Sequence, residues 1–237
     1  MLHDYSRSGP RARRHDTNLE RILDAAMQLV AEGGLDALSM QRLAHQVDYT
    51  AGALYRYFPS KDAILSRLVA RTLDEVDRAL QAQLARLPKR ATPLQRIAAL
   101  ALGYRLFAQQ HPNRFSLLTM TLAVPHILLT DPADAQPVID KIMGAMQPLA
   151  LALHDAAQAR QLSGGDTVER ALCVFASLQG ALMLRKQAQI APHLIDLPRL
   201  TSASLRSLLV GWGARERTVD GALRMVARLE PPHGAHA

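Results

Sequence analysis

The chain has 237 residues, 49% of them hydrophobic and 4% aromatic, with a formal net charge of +7. That hydrophobic content can fill a core and excludes wholesale disorder, and the length suits a small domain followed by a larger one. A single cysteine, Cys173, excludes an intrachain disulfide and a cysteine-built zinc site.

Lys and Arg outnumber Asp and Glu by 14 to 11 over residues 1–90 and by 14 to 10 over residues 91–237. The excess fits a polyanionic partner and fits a generally basic protein equally well, and it locates no site. The N-terminus lacks the apolar core of a signal peptide. The longest nearly apolar stretch, Leu117 to Leu129, is interrupted by Pro125 and is too short for a bilayer. A cytoplasmic protein with no membrane partner is expected.

Residues 1–16 are polar, with Arg11, Arg13 and Arg14 beside Gly9 and Pro10, and read as a flexible basic arm. Thr17 followed by Glu20 reads as a capping box that starts the first helix. Leu19, Ile22, Leu23, Ala26, Leu29 and Val30 follow at helical spacing, and Gly33-Gly34 stops the run. Ser39 caps a short helix with Met40, Leu43, Ala44 and Val47 facing inward. A tight turn at Asp48-Tyr49 leads to a second short helix, capped by Thr50 and ending near Tyr57-Phe58-Pro59. Ser60 caps a long helix from Lys61 to about Leu87, with an apolar stripe from Ile64 to Leu84.

Pro88-Lys89-Arg90-Ala91 marks the break between a head and a body that begins near residue 92. Thr92-Pro93-Leu94-Gln95 combines a capping box with Pro at the first helical position. Further helices are expected over roughly 93–110, 112–123, 133–161, 166–187, 198–212 and 217–229. No segment alternates in the manner of a strand, so the fold class is all-α.

The layout over Ala37 to Leu65, two short helices joined by a tight turn and flanked by longer ones, is that of a helix-turn-helix. Thr50 sets a hydroxyl and a helix N-terminus where a phosphate can sit. Ala51, Gly52 and Ala53 are small enough to let the second helix approach a groove floor. Tyr55, Arg56 and Tyr57 give polar reach. Lys61 opposes its own helix dipole, which makes better sense beside a phosphate. Each has a plainer reading: Tyr57 as a packing residue, Arg56 as a solvated one, and the Arg11–Arg14 arm as an idle tail rather than a contact to DNA backbone or minor groove.

In order and spacing, Arg21-Ile22-Leu23-Asp24-Ala25-Ala26, Gly33, Leu38-Ser39-Met40, Leu43-Ala44 and the unbroken run Thr50 to Leu65 resemble the DNA-binding domain of the tetracycline-repressor (TetR) family. The resemblance covers about residues 17–65. It implies an N-terminal three-helix head followed by a C-terminal helical bundle for ligand binding and dimerisation. It also implies that Ser39, Tyr55 and Lys61 contact phosphates, while Gln41, Thr50, Ala51, Gly52 and Arg56 face the groove. Arg56 is suited to a bidentate contact with guanine and Gln41 to adenine. One departure stands in the turn. The family usually carries Ala-Gly there, whereas this chain has Val47-Asp48 and then Tyr49. Asp tolerates a left-handed conformation better than most non-glycine residues, so the turn can survive.

The body shows no phosphate loop, no nucleophile elbow and no metal-ligand spacing among His111, His126, His154 and His193, so neither an enzyme nor a metal or cofactor site is expected. Gly164-Gly165 reads as a tight turn before an acidic helix cap at Asp166. The resemblance implies a homodimer on operator DNA, paired through helices near 166–187 and 198–212. Leu172, Leu178, Leu182, Leu205, Leu208, Leu209 and Trp212 are the candidate contacts, with intrachain core as the alternative. Pocket candidates are Phe115, Met120, His126, Met143, Met146, His154, Phe175, Gln179 and Met183, a mixture suited to an apolar or weakly polar effector, with core filler as the plainer reading of the methionines. An enzyme or carrier on a helical bundle is the main rival reading, and it leaves the Thr50–Lys61 chemistry without a purpose; an adaptor that acts through protein contacts is a second.

Overall fold

The computed structural model describes residues 10–123 and 132–230. His126 therefore lies outside the described residues. All regular structure among those residues is helical. In chain order the elements are α1 (Pro10–Ala37), α2 (Met40–Gln46), α3 (Ala51–Tyr55), α4 (Lys61–Ala85), α5 (Pro93–Gln110), α6 (Pro112–Ala123), α7 (Pro132–Gln158), α8 (Thr167–Met183), α9 (Arg185–Ile190), α10 (Leu197–Gly211) and α11 (Glu216–Ala227). No helix among the described residues is long and apolar enough to cross a membrane.

The first helix corrects one expectation. It begins at Pro10, seven residues before the supposed capping box, so residues 10–16 are helical rather than a loose arm. Proline suits a first helical position because its missing N–H would find no intrahelical partner there. Thr17 consequently sits inside the helix, where its hydroxyl donates to the Arg13 carbonyl at 2.8 Å instead of capping. At the other end the helical path breaks at Gly33-Gly34. Gly34 has φ 71 and ψ −167, a region open essentially only to glycine.

The chain divides into two compact units, one drawn from Met1–Thr72 and Ser116–Val138, the other from Leu73–Phe115 and Ile139–Ala237. The first has a core of Ile22, Leu23, Ala26, Leu29 and Val30 from α1, Leu43 and Ala44 from α2, Leu54 and Phe58 around α3, and Ile64, Leu65, Leu68 and Val69 from α4. The spacing of these residues follows the helical period and explains why each short helix buries one face. Across the surface of this core, Arg71 of α4 pairs with both Glu20 (3.0 Å) and Asp24 (2.8 Å) of α1.

The second unit is organised around α5, which is buried along nearly its whole length from Leu94 to Ala108. Its start is the expected capping box, with Thr92 and Gln95 each bonding the other's backbone N–H. Helices α8, α10 and α11 pack against α5, and α10 also packs on α8 and α11. The helix expected over 166–187 ends at Met183. The Leu184 N–H turns back to Ala181, and the chain restarts as the separate α9.

Arg170 ties this unit together where α7, α8 and α10 end or begin. Its guanidinium donates to the Ser163 carbonyl (2.7 Å), the Ser163 hydroxyl (3.2 Å) and the Gly164 carbonyl (3.1 Å). It also lies 5.1 Å from the centre of the Trp212 ring. Gly164-Gly165 is thus the tight turn expected from the sequence, clamped by a buried cation. Hydrogen bonds to a charged group are each worth about 1.5–3 kcal/mol and are not additive. Arg170→Ala is therefore expected to lower the unfolding free energy by about 2–4 kcal/mol, with partial recovery in Arg170→Lys. Urea denaturation measures this, and a loss below about 0.5 kcal/mol would show that the clamp carries no weight.

Candidate nucleic-acid interface

The helix-turn-helix is assembled by local backbone chemistry. Ser39, in an extended conformation, accepts from the Arg42 N–H at 3.2 Å and starts α2. The end of α2 is a complete left-handed cap. Asp48 has φ 56; its N–H bonds the His45 carbonyl (3.3 Å), and the Tyr49 N–H reaches back to the Ala44 carbonyl (2.8 Å). That paired pattern satisfies two carbonyls that the helix end leaves free. Thr50 then accepts from the Ala53 N–H at 3.1 Å and starts α3, and Ser60 accepts from the Ala63 N–H at 3.0 Å and starts α4.

Tyr49 is explained by what surrounds the turn. Its ring stacks on Tyr57 with centroids 5.9 Å apart, and Tyr57 in turn stacks on His15 at 5.0 Å. The Arg21 guanidinium lies 5.2 Å from the Tyr49 ring centre and donates to the Val47 carbonyl at 2.8 Å. Asn18 donates to the Tyr57 hydroxyl at 3.2 Å. Hydrogen bonding with Tyr57 holds the Tyr49 phenol above its ordinary pKa. Tyr57 is thus engaged in bracing α1 against the turn. No sequence signal marked this stack, because its members come from three separate segments.

The remaining candidates on this face differ in availability. Gln41, Thr50, Gly52, Tyr55 and Arg56 are exposed, and Ser39, Ala51 and Lys61 are half-buried. Tyr55 stands out at 52% exposure, high for a large aromatic side chain. A Cβ placed on Gly52 would meet nothing within 4 Å, so the chain's own packing gives no reason for a glycine there. Lys61 has a partner that the sequence did not suggest. Its ammonium donates to the Leu35 carbonyl at 2.7 Å, in the turn that follows the break in α1.

In the second unit, aromatic and polar groups, some buried and some half-buried, gather around the buried Tyr104 of α5. Phe115 and Phe175 lie 6.0 and 5.9 Å from its ring, and its hydroxyl donates to Gln179 Oε1 at 2.5 Å. Burial pushes the Tyr104 hydroxyl well above its ordinary pKa, so it stays a neutral donor. The Arg185 guanidinium sits 4.8 Å from the Phe115 ring centre, and burial lowers its pKa. Of the pocket candidates, Phe115, Phe175 and Gln179 belong to this cluster. Tyr104 and Arg185 were missed, because neither a lone tyrosine nor a lone arginine is distinctive in a helical sequence. Met120 and Met146 are half-buried. Met143, His154 and Met183 are exposed and line no enclosed core, because their positions fall on outer helix faces.

The dimer candidates need a sharper correction. Leu178, Leu182, Leu205 and Leu209 are buried within the chain's own core at 4% exposure or less, so they are not surface contacts. Leu208 and Trp212 are half-buried, with Trp212 engaged by Arg170. Leu172, a dimer candidate, is 49% exposed, and it shares an outward apolar row on α8 with Met183 (51%), expected instead at the pocket, and with Val168 (47%), which the sequence did not single out.

Comparison with known proteins accords with this geometry. The family model "Bacterial regulatory proteins, tetR family" matches residues 22–68, and "Tetracyclin repressor-like, C-terminal domain" matches residues 97–210. The transcriptional repressor KstR of Mycobacterium tuberculosis is 30% identical over 135 residues, covering 56% of this chain and 58% of that protein. KstR of Rhodococcus jostii is 29% identical over 130 residues, covering 55% of this chain and 56% of that protein. The chain thus aligns with somewhat more than half the length of these two relatives. The crystal structure of AibR, solved with isovaleryl coenzyme A and operator DNA, shares the fold at TM-score 0.60 and 17% identity, covering 81% of this chain and 97% of that one.

The left-handed turn yields a test of its own. Asp48→Gly is expected to leave stability unchanged or raise it by up to about 1 kcal/mol, because glycine carries no penalty at positive φ. Asp48→Val should cost about 1–2 kcal/mol. Thermal unfolding of both variants measures the difference, and equal stability would show that the turn is not under left-handed constraint.

Proposed function

Because the chain belongs to the tetR family of bacterial regulatory proteins, we propose that it is a sequence-specific regulator of transcription, a homodimer that binds a two-fold symmetric operator and leaves it when a small effector binds. The observation that carries the DNA-binding part is the bare face of α3. Gly52 is exposed with open space around it, Tyr55 and Arg56 are exposed beside it, and Thr50 offers a capped N-terminus. A short helix with small residues at its start and long polar ones at its end suits insertion into a major groove.

In this reading Ser39, Tyr55 and Lys61 hold phosphates, and Gln41, Thr50, Ala51, Gly52 and Arg56 face the bases. Lys61 bridges a phosphate and the Leu35 carbonyl it already holds. Tyr57 acts indirectly, by fixing α1 and the turn. Phosphate contacts set the register, and base contacts set the sequence preference. The N-terminal helix-turn-helix forms the head, and the body from about residue 92 carries effector binding and pairing. The exposed row Val168, Leu172 and Met183 on α8 is the apolar surface a second copy would cover. Two copies place their α3 helices about one DNA turn apart, on the order of 34–36 Å.

The cluster around Tyr104 is the effector site of this reading, where an apolar or weakly polar molecule would exchange contacts with Phe115, Phe175 and Gln179. Such a ligand releases the operator only by binding the released form more tightly than the bound one. Repression is the default sense, in keeping with the repressor names of the relatives.

Selection of tight-binding DNA from a random pool tests the reading. A symmetric motif should emerge. Tyr55→Ala should weaken all sites, and Arg56→Ala should relax preference at particular base pairs by about 1–3 kcal/mol each. Leu172→Arg should yield monomer by sedimentation and lose the symmetric motif. Folded wild-type protein that enriches no sequence at low salt would refute the DNA-binding role.

A further inference from the structure

A second candidate ligand site lies in the second unit, and it shares no residue with the Tyr104 cluster. Between α5, α10 and α11 is a cavity of about 100 Å³. Its walls are mostly apolar, from Ala98, Ala101 and Leu102 on α5, Leu205 on α10, and Leu223 and Val226 on α11, with Thr201 and Ser202 of α10 adding hydroxyl groups. One end is polar. There Arg105, with its side chain only 6% exposed, meets the Glu230 carboxylate at 2.7 Å. Its other nitrogen donates to Gln109 Oε1 at 3.2 Å.

Two features of this arrangement work against stability. The space opens to solvent past Ser202 and Ala227 and so leaves apolar side chains incompletely covered, and a buried ion pair commonly contributes less than well-packed apolar side chains of the same volume. Together they make a shape that a ligand can complete: a cation at one end and an apolar chamber beside it. The anion now on Arg105 is not built into a helix. It comes from Glu230, three residues past the end of α11, in the segment that Arg86 also holds through the Leu229 carbonyl at 3.1 Å. Such a carboxylate can be exchanged without breaking a helical hydrogen bond.

We propose that this cavity binds a small apolar monocarboxylate, whose carboxylate replaces Glu230 on the Arg105 guanidinium while its tail fills the space lined by Ala101, Leu205 and Val226. An apolar cavity of about 150 Å³ holds benzene, so the smaller volume here fits a tail of about four or five carbons. Arg105 supplies a fixed positive charge and the N–H that now holds Glu230, which selects a carboxylate over a neutral amide or alcohol. Glu230 is then an internal competitor that sets the affinity. The site belongs to the second unit alone and does not depend on the DNA-binding reading.

Calorimetric titration of the full chain with pentanoate, and with pentanamide as the neutral isostere, tests this directly. Pentanoate should bind and pentanamide should not. Glu230→Gln should tighten pentanoate by at least about tenfold. Arg105→Gln should abolish binding. Ala227→Leu, a change at the exposed rim of the cavity that leaves the core untouched, should block it with the fold intact by circular dichroism. Binding seen only in Glu230→Gln would still support the site, since the competitor has been removed. Equal binding of acid and amide, unchanged binding in Ala227→Leu, or no binding of pentanoate to either wild type or Glu230→Gln would overturn it.

Discussion

The direction of α3 relative to α2 rests on one residue, Asp48, which carries the chain through a left-handed conformation at φ 56. With that residue in place, the His45 and Ala44 carbonyls find partners, α2 ends without an unpaired carbonyl at either position, and Thr50 arrives where it can cap α3. The cost of a left-handed aspartate is offset locally by these bonds. It is offset again from outside, because Arg21 holds the preceding Val47 carbonyl and the ring of Tyr49 is packed between Arg21 and Tyr57. Tyr49, the residue that looks least suited to a tight turn, is thus part of what fixes it.

The same brace accounts for the length of α1. The polar segment before Thr17 has little apolar surface with which to hold itself helical, and short isolated helices are marginal in water. In the structure His15 lies on the Tyr57 ring, so the added turns gain a tertiary contact with the segment that follows α3. The consequence for function is that Arg13 and Arg14, both exposed, are carried on a helix in a defined direction.

Much of this fold was legible in the sequence, and the misses share a cause. Thr92 and Gln95 form the capping box their spacing announces, whereas Thr17 and Glu20 have the same pattern and form none. The pattern reports only what a helix start would look like; it cannot report that Pro10 has already started one. Likewise Leu172 and Leu178 are both leucines on α8, yet one is exposed and the other buried. Helical periodicity separates faces, but it cannot say whether a second apolar face meets the same chain or another copy. The Tyr104–Gln179 pair was half legible, with Gln179 suspected and Tyr104 passed over, because a buried hydrogen bond joins residues 75 positions apart. By contrast, the tolerance of aspartate for the turn and the caps at Ser39, Thr50 and Ser60 were local, and local chemistry is what one sequence reports well.

The central claim is that α3 is kept bare for a partner rather than for its own fold, and Gly52 tests it most directly. Gly52→Leu places a side chain into open space on the protein. The account predicts a protein at least as stable as the parent, with affinity for its selected DNA reduced more than about tenfold, equivalent to about 1.4 kcal/mol. A stable variant that binds that DNA with unchanged affinity would contradict it, and would place the nucleic-acid surface elsewhere.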